Sequence, residues 1–149
     1  MIRKISQSDR ADFIRLSKQF YSSPAVLFNV PESYHERAFD ELMRSDVYAD
    51  GYILESGGKT VGYGLTAKTY SREAGGKVLW LEELFVLPQY RSAGLGKEFF
   101  QVVETEARRG NFVRIRLEVE EENVRARSLY ERLGYRPLEY DQMVKDLKD

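Results

Sequence analysis

The stretch Glu82-Glu83-Leu84-Phe85-Val86-Leu87-Pro88-Gln89-Tyr90-Arg91-Ser92-Ala93-Gly94-Leu95-Gly96-Lys97 reads as a strand that turns directly into a helix. Pro88 ends the strand, because it has no N–H to give to a ladder. Gly94 and Gly96 fall in the first turn of the helix that follows. Unpaired backbone N–H groups at such a start, with the positive end of the helix dipole, form an anion site. The glycines let the backbone approach a ligand closely, and Arg91 and Lys97 add positive charge at the rim. A Walker loop would need glycine at Arg91 and Ser or Thr at Glu98, and a dinucleotide fingerprint a third glycine or alanine at Phe99. Both patterns fail. What remains, Arg91-x-x-Gly94-x-Gly96, also fits a tight strand-to-helix turn with glycines for packing.

Outward from this loop the elements alternate. Val78 to Leu87 is the strand before it, and Leu95, Phe99, Val102, Val103 and Ala107 mark a long helix after it, stopped by Gly110. Upstream, Tyr52 to Glu55, a Gly57-Gly58 turn and Val61 to Tyr70 make a hairpin. Two helices precede it, one carrying Phe13, Leu16, Phe20 and Tyr21, the other opened by Pro31 and Glu32. Ile2 to Ile5 alternates as a short edge strand. Downstream, Val113 to Val119 alternates as a half-buried strand, and Asn123 caps a helix whose inner face is Ala126, Leu129, Tyr130 and Leu133. Tyr135 to Leu147 returns as one or two closing strands. The order predicts one α/β (α+β) domain over residues 1–149, with about four helices on a mixed, mostly antiparallel sheet of six to seven strands.

Composition narrows the chemistry. The chain has 149 residues, 42% of them hydrophobic, with 23 basic and 24 acidic residues. A net charge of -1 provides no field for nucleic acid or an anionic membrane. With no cysteine, thiol nucleophiles, disulfides and cysteine-held zinc are excluded. His35 is the single histidine, so a histidine-rich metal site is excluded too, and its turn reads as solvated surface. No apolar run approaches the ~18–20 residues that span a bilayer, and the first residues do not form a signal peptide, so a cytoplasmic protein is expected.

In this context the chain resembles the GNAT superfamily of N-acetyltransferases. The resemblance rests on Arg91-x-x-Gly94-x-Gly96 between strand and helix, on Leu84-Phe85-Val86 before it with Pro88 and Tyr90, and on Asn123-x-x-Ala126-x-x-x-Tyr130-x-x-x-Gly134-Tyr135. It departs at Ser92, where many members carry glycine. It implies a sheet splayed between the cofactor strand and the next, and acetyl-CoA as cofactor. Backbone groups of Leu84, Phe85 and Val86 would pair with the pantetheine arm. The N–H groups from Arg91 through Ser92, Ala93, Gly94, Leu95, Gly96 and Lys97 would surround the pyrophosphate. Asn123 would lie near the pantetheine, a role compatible with capping its helix. Family members also commonly pair as homodimers.

Acyl transfer to an amine needs an uncharged nucleophile, and neutralising a lysine-like ammonium at pH 7 costs roughly 4–5 kcal/mol. A strand carboxylate can accept that proton. Alternation points Glu82 and Glu83 to opposite faces. Glu82 is the preferred base, because its position looks like the proposed base of the diamine acetyltransferase branch. Glu83 is the reserve, or helps bind a cationic substrate. Tyr130, at the family's tyrosine position, is the candidate acid for the departing thiolate, although it also belongs to a buried stripe. Trp80 with Leu81-Glu82-Glu83 is similar to the diamine branch. Tyr34 and other aromatics among Glu32, Glu36, Asp40, Glu41, Asp46 and Asp50 suit a cation. A small-molecule amine such as a polyamine is the expected partner, with a protein amine or a non-catalytic acyl-CoA sensor as alternatives.

Overall fold

The edge alternation at the start of the chain forms strand β1 (Ile2–Lys4), and Gln7–Asp9 makes one 3₁₀ turn before helix α1 (Arg10–Tyr21). The turn is pinned by Asp9, which is buried. Its carboxylate accepts from the Ser6 N–H at 2.7 Å and from both terminal nitrogens of Arg3 at 2.9 and 2.8 Å. Helix α1 buries Phe13, Leu16, Ser17 and Phe20, one stripe at helical spacing. Pro31 starts helix α2 (Glu32–Arg44), which buries His35 and Phe39. The computed structural model describes residues 1–148.

Strands β2 (Ala49–Ser56) and β3 (Lys59–Ser71) form the hairpin, with Gly57 and Gly58 at φ of 56° and 75° in its turn. Strand β4 (Gly76–Val86), helix α3 (Leu95–Arg109) and strand β5 (Arg114–Leu117) follow. The sheet runs β1-β2-β3-β4-β5, antiparallel except for the β4–β5 pair, which is parallel. Helices α1 and α2 cover one face through Phe13, Leu16, Phe20, Phe39, Ile53, Tyr63 and Phe85. Helix α3 covers the other with Phe99 and Val103, both fully buried. Burying such side chains stabilises by about 1.5–3 kcal/mol each. Gly64 makes the α3 approach possible, since a Cβ there would lie 2.3 Å from the Phe99 ring.

The chain divides into two compact units, Met1–Leu117 and the stretch from Glu118 onward. The second unit contains helix α4 (Val124–Arg132), capped by the Asn123 side chain, which accepts from the Ala126 N–H at 3.3 Å. The α/β architecture follows the expected element order up to this helix. The sheet has five strands among the described residues, where the sequence predicts six to seven. The alternation after Gly134 forms no ladder. Pro137 interrupts it, and Tyr140, Met143, Val144 and Leu147 are exposed. Strand β5 is likewise shorter than its alternating run.

The Arg3 hydrogen bonds hold the Asp9 carboxyl at about 2, below its ordinary 3.8. A depressed carboxyl contributes stability that is complete above its unfolded pKa and lost as pH falls through the folded one. Asp9→Asn should therefore cost about 2 kcal/mol at neutral pH. Urea titrations of the variant should also show a smaller stability loss between pH 4 and pH 2 than the parent protein shows.

Candidate active site

Strand β4 carries one extra residue. Leu65 pairs with Glu83 and Thr66 with Leu81, leaving Glu82 as a bulge. The parallel ladder to β5 stops at the same place, its last pair being Leu81 with Leu117. From Glu83 to Val86, β4 is paired by strand on the β3 side alone. A bulge bends its strand and increases local twist, which is how two neighbouring strands come to part. The pairing of β4 with β5 thus ends beside the carboxylates, where the family resemblance implies a splay.

The bulge also corrects the expectation that Glu82 and Glu83 face opposite ways. An inserted residue interrupts the simple alternation on which that expectation rests, so strict period-two counting no longer applies across Glu82. Their surroundings differ. Glu82 is exposed, whereas Glu83 is largely inside. Glu83 Oε1 accepts from the Tyr21 hydroxyl and Oε2 from the Tyr63 hydroxyl, both at 2.6 Å. Burial raises the Glu83 pKa above the usual carboxylate range, and the two phenols oppose that rise. Burial together with the neighbouring Glu83 raises both tyrosines in turn.

A second polar contact lies in the α1–α2 layer. Ser17 on α1 is buried beside this layer, and its Oγ lies 2.6 Å from His35 Nδ1. His35 is only 4% exposed, which overturns its reading as a solvated surface residue. It sits one helical turn before Phe39 on the inner stripe of α2, edge-on to the Tyr21 ring at 5.5 Å. Burial lowers its pKa. Tyr21 is among the aromatics that the sequence offers for a cation, whereas Tyr63, Ser17 and His35 are not singled out as site residues by sequence. The only signal was indirect, since hydroxyls on apolar stripes need partners once buried.

After Leu87, Pro88–Tyr90 forms a 3₁₀ turn in which the Arg91 N–H donates to the Pro88 carbonyl at 3.3 Å. That N–H is therefore engaged within the loop. Arg91 Nε donates to the Val86 carbonyl at 2.8 Å, and its guanidinium lies 5.7 Å from the Phe85 ring centre. Ser92 and Gly94 have φ of 65° and 90°. Gly94 is the N-cap of α3 and offers no side chain to the first helical N–H groups. A Cβ at Gly94 would meet nothing within 4 Å, so its surroundings are open. Donors at Leu95, Gly96 and Lys97, with no competing cap and open space in front, suit a phosphate. Together with the one-sided edge of residues 83–86, they fit a ligand that joins a phosphate to an arm able to pair with a strand edge.

Other expected residues are already engaged. Arg37 lies 5.3 Å from the Tyr34 ring centre and Arg116 4.3 Å from that of Trp80, each occupying a ring face that could have met a substrate cation. Glu32 pairs with Lys18, Asp40 with Arg10, Glu41 with Arg44, and Asp50 with Lys4 and Lys68. In the second unit Tyr130 is half-buried, its ring edge-on to Tyr135 at 6.1 Å, and burial raises its pKa. Asn123 serves as the helix cap.

The sequence pattern of the acetyltransferase (GNAT) family matches residues 12–135. The chain belongs to this family. As a GNAT protein it is an N-acetyltransferase. It is 27% identical to the thialysine N-epsilon-acetyltransferase of mouse (Mus musculus), over 92% of this chain and 84% of that one. It is 31% identical to an uncharacterized N-acetyltransferase of Bacillus subtilis, over 74% and 80%. The fold matches an aminoglycoside N-acetyltransferase solved with CoA, with a TM-score of 0.82, 19% identity, and 99% and 95% of the two chains covered.

The left-handed φ at Ser92 explains why glycine suits this position in a GNAT loop. A side chain there costs ~1–2 kcal/mol, partly offset because glycine has more unfolded-state entropy to lose. Ser92→Gly should therefore raise stability by roughly 0.5 kcal/mol. A small upward shift in thermal midpoint would register it, and a downward shift would contradict the strain.

Proposed function

We propose that this protein transfers an acetyl group from acetyl-CoA to a primary amine of a small, cationic molecule, in the manner of the diamine and thialysine acetyltransferases. The observation that carries this reading is the pair of adjacent carboxylates at the β4 bulge, Glu82 exposed and Glu83 half-buried, where the pairing of β4 with β5 ends. The mouse relative, named for acetylating a lysine analogue, supports the amine class. The distribution of charge supports it as well. Glu32, Asp40, Glu41 and Asp50 hold ion pairs of their own, while Glu82 and Glu83 place two acidic side chains in succession at the bulge.

In this reading, bound acetyl-CoA supplies an acetyl group activated as a thioester. The main chain of Leu84, Phe85 and Val86 holds the amide-bearing arm along the open edge of β4. The loop from Arg91 to Lys97 holds the pyrophosphate, with Ser92, Ala93, Gly94, Leu95, Gly96 and Lys97 supplying the N–H groups. Arg91 acts chiefly by tying the loop to Val86. Glu82 takes the proton of the ammonium at its carboxylate, leaving the amine able to attack. Glu83 adds negative charge beside it. Tyr130 gives its hydroxyl proton to the departing sulfur, and its raised pKa keeps that proton in place at neutral pH. Asn123 fixes the start of the helix that carries Tyr130.

Thiol release from acetyl-CoA should depend on added amine, and a panel of polyamines, lysine analogues, aminoglycosides and lysine peptides identifies the class. Release only with lysine peptides would replace the small-molecule reading with a protein-directed one. Glu82→Gln should lower kcat at pH 7 by about 100-fold, with acetyl-CoA affinity by calorimetry unchanged; an unaltered pH–rate profile would remove Glu82 from the role. Tyr130→Phe should cut turnover by a similar factor and spare cofactor binding, and wild-type turnover in that variant would refute the acid role.

A further inference from the structure

The carboxylate of Glu83 is gripped from two elements. Tyr21, the last residue of α1, donates to Oε1, and Tyr63 of β3 donates to Oε2, both at 2.6 Å. That is the length of a hydroxyl donating to a charged oxygen. The last torsion of a glutamate is broad, so a single donor would leave the carboxylate free to turn. One donor on each oxygen, from different elements, fixes its plane. Each oxygen can accept a second hydrogen bond, so the carboxylate still has places for a cationic donor. Glu83 is half-buried rather than closed off, and it lies just past the last paired residues of β4 and β5.

The two phenols are themselves held in different ways. Tyr63 is fully buried, edge-on to Phe13 at 5.2 Å and to Phe20 at 6.2 Å, so the core sets its place. Tyr21 is half-buried, and its ring meets those of Phe20 and His35 edge-on, each at 5.5 Å. The hydrogen bond between His35 and Ser17, at 2.6 Å, ties α2 to α1 beside that ring and so braces it. We propose that Tyr21 is a positioning residue: with Tyr63 it fixes the Glu83 carboxylate in one orientation, ready to receive the ammonium of the acceptor. This role rests on the amine-acetylation reading above. It gives Glu83 the task of holding the acceptor and leaves the proton to Glu82. The groups around Glu83 are Tyr21 from α1, Tyr63 from β3 and the adjacent Glu82 on β4 itself. Burial opposes the charge on Glu83, and both phenols support it.

Tyr21→Phe removes the hydroxyl and keeps the ring with its contacts. With the amine found by the panel, this variant should raise the KM for that amine about tenfold at pH 7 and leave kcat and the KM for acetyl-CoA unchanged. Having lost a donor, Glu83 should keep its proton to higher pH. The weakening of amine binding on acidification should therefore begin at a higher pH than in the parent protein. Glu83→Gln should raise the same KM further, and adding Tyr21→Phe to it should change nothing more, because the phenol acts only through the carboxylate. An unchanged or lower amine KM in Tyr21→Phe, or an equal rise in both backgrounds, would overturn this role. A carbon-13 carboxyl titration, with the Glu83 signal assigned by its absence from Glu83→Gln, needs no substrate. Its midpoint should rise in Tyr21→Phe, and a midpoint that stays in place would overturn the grip on Glu83. A protein silent toward every amine, in which the midpoint still rises, would instead refute the amine reading and leave the grip standing.

Discussion

One inserted residue in β4 shapes everything around it. Glu82 has no opposite number on β3, so the strand bends there, and β5 can follow β4 only as far as Leu81. The parting leaves a short strand edge that nothing in the sheet uses. It also places Glu83 where the Tyr21 hydroxyl of α1 donates to it at 2.6 Å. The loop that begins at Pro88 hangs from the end of this same strand, tied back through Arg91 to Val86. The open strand edge, the two carboxylates and the strand-to-helix loop therefore share one support. A site built on a strand in this way is held more tightly than one assembled from loops.

Placing Glu83 inside sets an opposing constraint. Desolvating a carboxylate costs several kcal/mol. Hydrogen bonds from Tyr21 and Tyr63 to a charged acceptor return about 1.5–3 kcal/mol each. The balance still favours the protonated form more than in water, as the upward shift of Glu83 shows. The tyrosines gain from the same arrangement, because their hydroxyls would otherwise be buried without an acceptor. Tyr63 is also the centre of the aromatic packing, edge-on to Phe13 at 5.2 Å and to Phe20 at 6.2 Å. The apolar core of the α1–α2 layer and the Glu83 carboxylate are therefore held by the same residue.

Most of the scaffold was legible from the chain. Helical stripes, the Gly57-Gly58 turn and the stops at Pro88 and Gly110 each have a local cause that acts before tertiary structure does. The strand-to-helix loop was legible for the same reason. The bulge was not, because a period of two is counted along one strand, whereas an inserted residue is defined by its partner. His35 was misjudged from its polar neighbours Glu36 and Arg37, which are exposed, although its spacing of four from Phe39 places it on the buried stripe. The segment after Gly134 alternates well enough to suggest strands. Alternation specifies a face without supplying the neighbouring edge a ladder needs. The acidic cluster of residues 32–50 read as a cation-binding rim until its ion pairs were visible.

The two carboxylates at the bulge are chemically identical groups in unlike surroundings, and enzymes use such pairs for separate tasks. Glu82 is exposed and can exchange protons with water directly. Glu83 cannot, since both of its oxygens are already committed to phenols. Any proton it gains must be accommodated by turning at least one of those hydroxyls. Tyr63 is buried in the aromatic core, so that turn is made inside it. Protonation at Glu83 is thus felt inside the α1–α2 layer, while protonation at Glu82 is damped by water. The position of one bulge decides which of two adjacent glutamates communicates with solvent and which with the core.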